Sequence, residues 1–328
     1  MEAREPRSIA GGAGGAAEAA SRLTVAPRAA ARRPSLGQAL ENERILGFLL
    51  LSPTVVLLGL FIAYPFVKGV WISLTNATVG NPGVFVGFHN FEKVFYDSIF
   101  RQATYNTFVY TALATVGKLA LGMWLALLLN RHFRAKRLVR ASMLLPFIIP
   151  TVLSTLAWKW MFDPTFSVLN WSLYQMGIIQ TRIGWLTDPT LALGSVIIVN
   201  IWRGMPFYAI TLLAGLQTVN PELHEAAALD GATAWQRFWR ITWPLLLPVT
   251  MVVTLFSVIQ TFADFQLVYV LTGGGPANAT HLFATYAYQI CVGTGLLSEG
   301  AAVSLAIFPV LLLVVIIQLL YIRRVETV

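Results

Sequence analysis

Residues 45–71 read ILGFLLLSPTVVLLGLFIAYPFVKGVW. The apolar run starts at Ile45 and continues for about 25 residues, enough for a helix to cross a hydrocarbon core about 30 Å thick. A helix buried in a soluble protein averages about 11–12 residues. A signal peptide would carry a shorter apolar stretch ending at a small-residue cleavage site. The run therefore reads as a retained membrane span at about 46–70. The same test finds five more, at 104–129, 141–161, 191–216, 245–271 and 301–322. None alternates with a two-residue period, so helices are expected rather than a barrel. Prolines within them (Pro65, Pro146, Pro150, Pro206, Pro309) need neighbouring helices or water to satisfy the carbonyls they free.

Composition agrees. Of 328 residues, 56% are apolar and 12% charged, about half the charge of a soluble domain, with mean hydropathy +0.67. This excludes a disordered chain and argues against a soluble enzyme. The formal charge of +8 is a matter of placement. Sixteen Lys and Arg fall in the segment before the first span, the loops after the second and fourth, and the C-terminus, against three (Lys93, Arg101, Arg182) in the opposite loops. The positive-inside rule then places both termini in the cytoplasm. The basic residues are topology signals, and no nucleic-acid module accompanies them. The expected organisation is a flexible cytoplasmic tail at 1–44, an all-α transmembrane domain at 45–322 and a short cytoplasmic tail at 323–328. The one cysteine, Cys291, forms no intrachain disulfide.

The loop at 217–244, between the fourth and fifth spans, carries the most chemistry. Asn220 is a good N-cap, Pro221 suits the first helical position, and Glu222 complements the helix dipole. Gly231 supplies a left-handed terminus. Thr233 and Gln236 have the spacing of a capping box that opens a second short helix. The expectation is a helix–turn–helix on the membrane face, with Pro244 and Pro248 marking where the fifth span begins. Within it, Glu225-Ala226-Ala227 is followed by three residues, Gly231, nine residues, Ile241, one residue and Trp243-Pro244.

That pattern resembles the permease subunits of type I ABC importers, with Trp243 standing where the pattern usually has Leu. Leu145-Pro146, Trp158–Phe162, Trp202–Phe207 and Val270–Pro276 add a likeness to the maltose-type sugar permeases, over roughly 45–322. The resemblance implies a six-span bundle in the bacterial cytoplasmic membrane, with a coupling helix that docks on a separate ABC ATPase dimer. Glu225, Ala226, Ala227, Asp230 and Gly231 would form the docking element, with Glu225 pairing to a basic residue of the ATPase. It also implies a second, different permease chain, an extracytoplasmic solute-binding protein and a sugar or sugar-like solute. ATP and Mg would bind the ATPase subunits, and no cofactor this chain.

No phosphate-cradling Gly-x-x-x-x-Gly-Lys-[Ser/Thr] motif occurs, and Gly273-Gly274-Gly275-Pro276 reads as an outer turn. The four histidines show no metal-ligand spacing and no catalytic triad stands out, so no catalytic or metal residue is assigned. Lys118, Arg203 and Asp264 lie deep in the spans, where a charge costs at least about 2.5–3.5 kcal/mol and usually faces a bundle interior or a pathway. Trp202, Arg203, Gln260, Asp264 and Gln266 are the candidate solute-pathway residues. Asp264 is a plausible partner for Arg203. Gln260 and Asp264 are four apart and share a helix face, and Gln266 is turned away from them. Related sugar permeases often have Asp at the position of Gln266, and here the Asp stands two residues earlier. A secondary transporter driven by an ion gradient is the alternative. The Glu-Ala-Ala loop and the lack of an internal repeat count against it.

Overall fold

The computed structural model describes residues 43–326. The expected N-terminal tail lies outside the described residues up to position 42. The described chain divides into two compact units after Ala63. In the first, α1 (Glu43–Leu58) is followed by a π-helical turn at Gly59–Ala63. The second contains α2 (Tyr64–Ser73), α3 (His89–Tyr96), α4 (Ser98–Asn130), α5 (Lys136–Ile148), α6 (Thr151–Met161), α7 (Val168–Gln175) and α8 (Pro189–Leu216). It continues with α9 (Pro221–Leu229), α10 (Ala234–Arg237), α11 (Trp243–Phe262), α12 (Gln266–Leu271), α13 (Phe283–Tyr288) and α14 (Leu297–Glu326). Among the described residues there is no sheet, only isolated bridges at Thr75–Phe85 and Thr78–Asn81.

Among the described residues, five helical runs are long and apolar enough to cross a membrane: Leu46–Ser73, Ser98–Asn130, Pro189–Leu216, Ala234–Phe262 and Leu297–Tyr321. The expected span at 141–161 is instead two helices, α5 and α6, that meet at 92°. Ile149 before Pro150 has φ −62° and ψ 131°, the extended geometry that proline imposes on its predecessor. The expected span at 245–271 also needs correction. Its helix starts upstream, because a π-helical turn at Phe238–Thr242 joins α10 to α11, so the second short helix is no separate element. It ends at Phe262, and after Ala263–Phe265 the chain resumes as α12. At the C-terminus α14 continues to Glu326, into the region expected to be a tail.

Local chemistry sets the starts of the two central spans. Asp97 caps α4 by accepting from the Ile99 N–H at 2.8 Å. Asp188 caps α8, with Pro189 at its first position, and the hydroxyl and N–H of Thr190 hold its carboxyl below its ordinary pKa. Small residues then let α4 and α8 approach closely, as at many membrane helix interfaces. A Cβ on Gly122 would lie 2.4 Å from Tyr208 Cβ and 3.2 Å from the Ala209 nitrogen. Among the described residues, buried apolar side chains form three clusters. One joins Met123, Ala126, Tyr208, Leu212 and Leu246. A second joins Tyr110, Phe162, Val199 and Leu267. The third joins Phe100, Phe262, Phe283 and Val303. Apolar side chains such as Val116, Val252 and Leu313 stay exposed on the flanks of the spans, as lipid-facing residues do.

The glycine-rich segment forms a tight turn. Gly274 has φ +92°, and a Cβ there would sit 2.1 Å from the His281 ring. The Thr280 N–H donates to the Gly274 carbonyl at 3.1 Å, and the Asn106 amide of α4 donates to Ala279 at 2.9 Å and to His281 at 3.1 Å. The turn is thereby tied to the bundle.

Candidate functional site

Two regions concentrate functional chemistry. The first is the loop around α9. Asn220 Oδ1 accepts from the Glu222 N–H at 3.0 Å, with Pro221 at the first helical position. At the other end Gly231 has φ +80°. Its N–H donates to Ala228 at 3.1 Å, and the Ala232 N–H donates to Ala227 at 2.9 Å. This pair satisfies the last carbonyls of the helix in the manner that calls for a left-handed glycine. Among the described residues other than Gly231 and its two chain neighbours, no atom lies within 4 Å of a Cβ built there, so the requirement is conformational, not steric. Thr233 and Gln236 exchange hydrogen bonds, at 2.8 Å from the Thr233 N–H to Gln236 Oε1 and 3.3 Å from the Gln236 N–H to Thr233 Oγ1.

Glu225, Ala226 and Asp230 are exposed on this element and Ala227 is half-buried. Glu225 lines a cavity of about 380 Å³ with Leu127, Asn130, Leu216, His224 and Arg237. The one ion pair among the described residues joins Lys93 to Glu299, so Glu225 makes none with Arg237. Leu229 is 90% exposed and Trp235 70%. Neighbouring exposed apolar groups of this kind mark surfaces that a partner covers.

The second region is a cavity of about 410 Å³ between α4, α8 and α11. Arg203, Gln260, Asp264 and Gln266 all line it, with Lys118 and Asn200. Gln266 is there because the chain breaks after Phe262, which undoes the face assignment that holds for a continuous helix. Trp202 does not line it. Its ring packs edge-on against Trp158 at 5.4 Å. Asp264 does not pair with Arg203. Its Oδ2 accepts from the Tyr110 hydroxyl at 2.6 Å and the Asn200 amide at 3.1 Å, and its Oδ1 from the Leu267 N–H at 3.3 Å. The last bond caps the start of α12, so one carboxylate ties the broken helix to α4 and α8. Lys118 is 4% exposed, and its Nζ donates to Thr261 Oγ1 at 2.6 Å.

Tyr110 and Asn200 were not among the candidates from sequence. Asn200 and Arg203 are three apart and share a helix face, a signal that could have found Asn200. An isolated tyrosine in a span carries no such signal.

A family model described as "Binding-protein-dependent transport system inner membrane component" matches residues 118–327. The sulfoquinovosyl glycerol transport system permease protein SmoG of Agrobacterium fabrum is 36% identical over 284 residues, covering 86% of this chain and 92% of its own. The trehalose/maltose transport system permease protein MalF of Thermococcus litoralis is 33% identical over 279 residues, covering 85% and 94%. A chain of a crystallised bacterial ABC transporter involved in import of the acidic polysaccharide alginate shares the fold, with TM-score 0.76 at 24% identity, covering 88% of this chain and 98% of that one.

Proposed function

Because the chain belongs to the family of inner membrane components of binding-protein-dependent transport systems, we propose that it works as one permease subunit of an ATP-driven importer for a sugar or sugar-like solute. The names of SmoG and MalF support that solute class. Both termini and α9 face the cytoplasm in this reading, in keeping with the sixteen-to-three asymmetry of Lys and Arg.

The observation that carries the proposal is the exposed, rigidly capped α9. Capping at both ends lets it move as a body, and Leu229 and Glu225, with Trp235 of α10, give the loop apolar and anionic surface for a partner. We assign that partner as a separate ATPase dimer, which binds ATP and Mg and hydrolyses the nucleotide. Glu225 pairs there with a basic residue, while Ala226 and Ala227 allow close approach and Asp230 with Gly231 fixes the turn. Closure of the ATPase dimer pulls α9, and the bundle alternates access around the cavity at Arg203, Gln260, Asp264 and Gln266. A second permease completes the pathway, and an extracytoplasmic binding protein delivers the solute.

The test is reconstitution of this chain with its chromosomally neighbouring ATPase, permease and binding-protein genes. ATP-dependent uptake from the loaded binding protein is the expected result. Uptake by this chain alone under a proton or sodium gradient would overturn the reading.

A further inference from the structure

The charges of the central cavity do not balance. Its charged lining groups are Lys118, Arg203 and Asp264. Both oxygens of Asp264 are engaged by donors other than these cations. Lys118 is fixed with its stem across Gly204, where a Cβ would lie 2.3 Å from Lys118 Cδ, and its one hydrogen bond among the described residues goes to the neutral Thr261 hydroxyl. Arg203 makes no hydrogen bond or ion pair with any described residue, and its buried Nε has no partner among them. Buried polar atoms of Asn200, Tyr208 and Ser257, which line the same space, are likewise without one. A charge at membrane depth is stabilised by a counter-charge or by water, and buried donors are normally satisfied.

We propose that this cavity receives an oxyanion (carboxylate, sulfonate or phosphate) carried on the solute, with Arg203 as its principal ligand. The inference rests on the permease reading, in which the cavity is part of the solute's path. A guanidinium offers a planar fork that matches an oxyanion and sheds water more readily than an ammonium. Lys118 supplies the second positive charge without moving. Gln260 and Gln266 can bond hydroxyls, and Phe256 and Phe265 present apolar surface to the rest of the solute. The volume lies within the range of about 300–1,000 Å³ typical of small-molecule sites.

The test uses the complete complex with ATPase and partner permease in lipid nanodiscs. The probes are radiolabelled methyl glucosides that differ only in the terminal group: hydroxyl, carboxylate, sulfonate or phosphate. At least one anionic member should bind about tenfold or more tighter than the hydroxyl parent. Arg203→Met should abolish that preference, and Arg203→Lys, which keeps the charge but loses the planar fork, should retain only part of it. The inference is overturned if no anionic member exceeds the parent, or if Arg203→Met keeps the preference. The wild-type ranking decides the matter even where Arg203→Met fails to assemble. ATP hydrolysis is measured on the same sample: an active complex without anion preference sinks this inference alone, whereas failure to assemble with any ATPase sinks the permease reading.

Discussion

The Tyr110 hydroxyl donates to Asp264 Oδ2 at 2.6 Å, across 154 residues of sequence. This bond joins the middle of α4 to the break that follows α11. A hydrogen bond to a buried charge is worth about 1.5–3 kcal/mol. Tyr110→Phe should therefore destabilise the bundle by about that much, read as a lower midpoint in a thermal scan of the solubilised complex. An unchanged midpoint would show that the carboxylate finds a replacement donor.

Gly231 is constrained by backbone conformation alone. Substitution by Ala should cost about 1 kcal/mol or more of local helix-end stability, and Asn, which tolerates the left-handed region, should cost less. ATPase stimulation in reconstituted complexes should rank Gly231→Asn above Gly231→Ala. We expect Gly231→Asp and Glu225→Lys to insert in the membrane but to lose coupling. Normal ATP-driven uptake by both would count against the docking role of α9.

Two glycines on α4 separate steric from flexible contacts. A Cβ on Gly117 would lie 2.4 Å from Ile201 Cδ1 and 2.9 Å from its Cγ1, side-chain atoms with no backbone among them. At Gly122 the obstacles are Tyr208 Cβ and the backbone of Ala209. Gly122→Ala should cost about 1–3 kcal/mol by forcing α4 and α8 apart, and Gly117→Ala markedly less. Equal losses of thermal stability in the two variants would refute this account of the close contact.

His281 is buried beside the glycine-rich turn, and burial pushes its pKa below the ordinary value. The unfolded chain then takes up a proton at a pH where the folded chain does not. Stability should decline as pH falls below about 6.5 and level off below the folded pKa. A pH series of thermal midpoints should show this slope in the wild type and a weaker one in His281→Gln.

What the sequence revealed and what it hid follow from the range of the interactions. The spans were legible because length and apolarity alone decide them. Both ends of α9 were legible because capping by Asn220, Gly231 and Thr233 is settled within a few residues. The bend at Ile149–Pro150 was not, since Pro206 and Pro309 sit inside helices that continue past them. The partners of Asp264 were hidden because Tyr110 and Asn200 lie far away in sequence. Gln266 reads as turned away from Gln260 and Asp264 when 245–271 is taken as one helix, whereas the helix ends at Phe262 and resumes at Gln266.

The central claim is that α9 is gripped by an ATPase in the cytoplasm. Leu229→Cys, made in a Cys291→Ser background, places a single exposed thiol at its tip. Cross-linking in intact cells that express the whole system should join this thiol to the ATPase subunit, and a membrane-impermeant thiol reagent added outside should not reach it. Labelling from outside, or an absence of ATPase adduct in a complex that transports, would contradict the account.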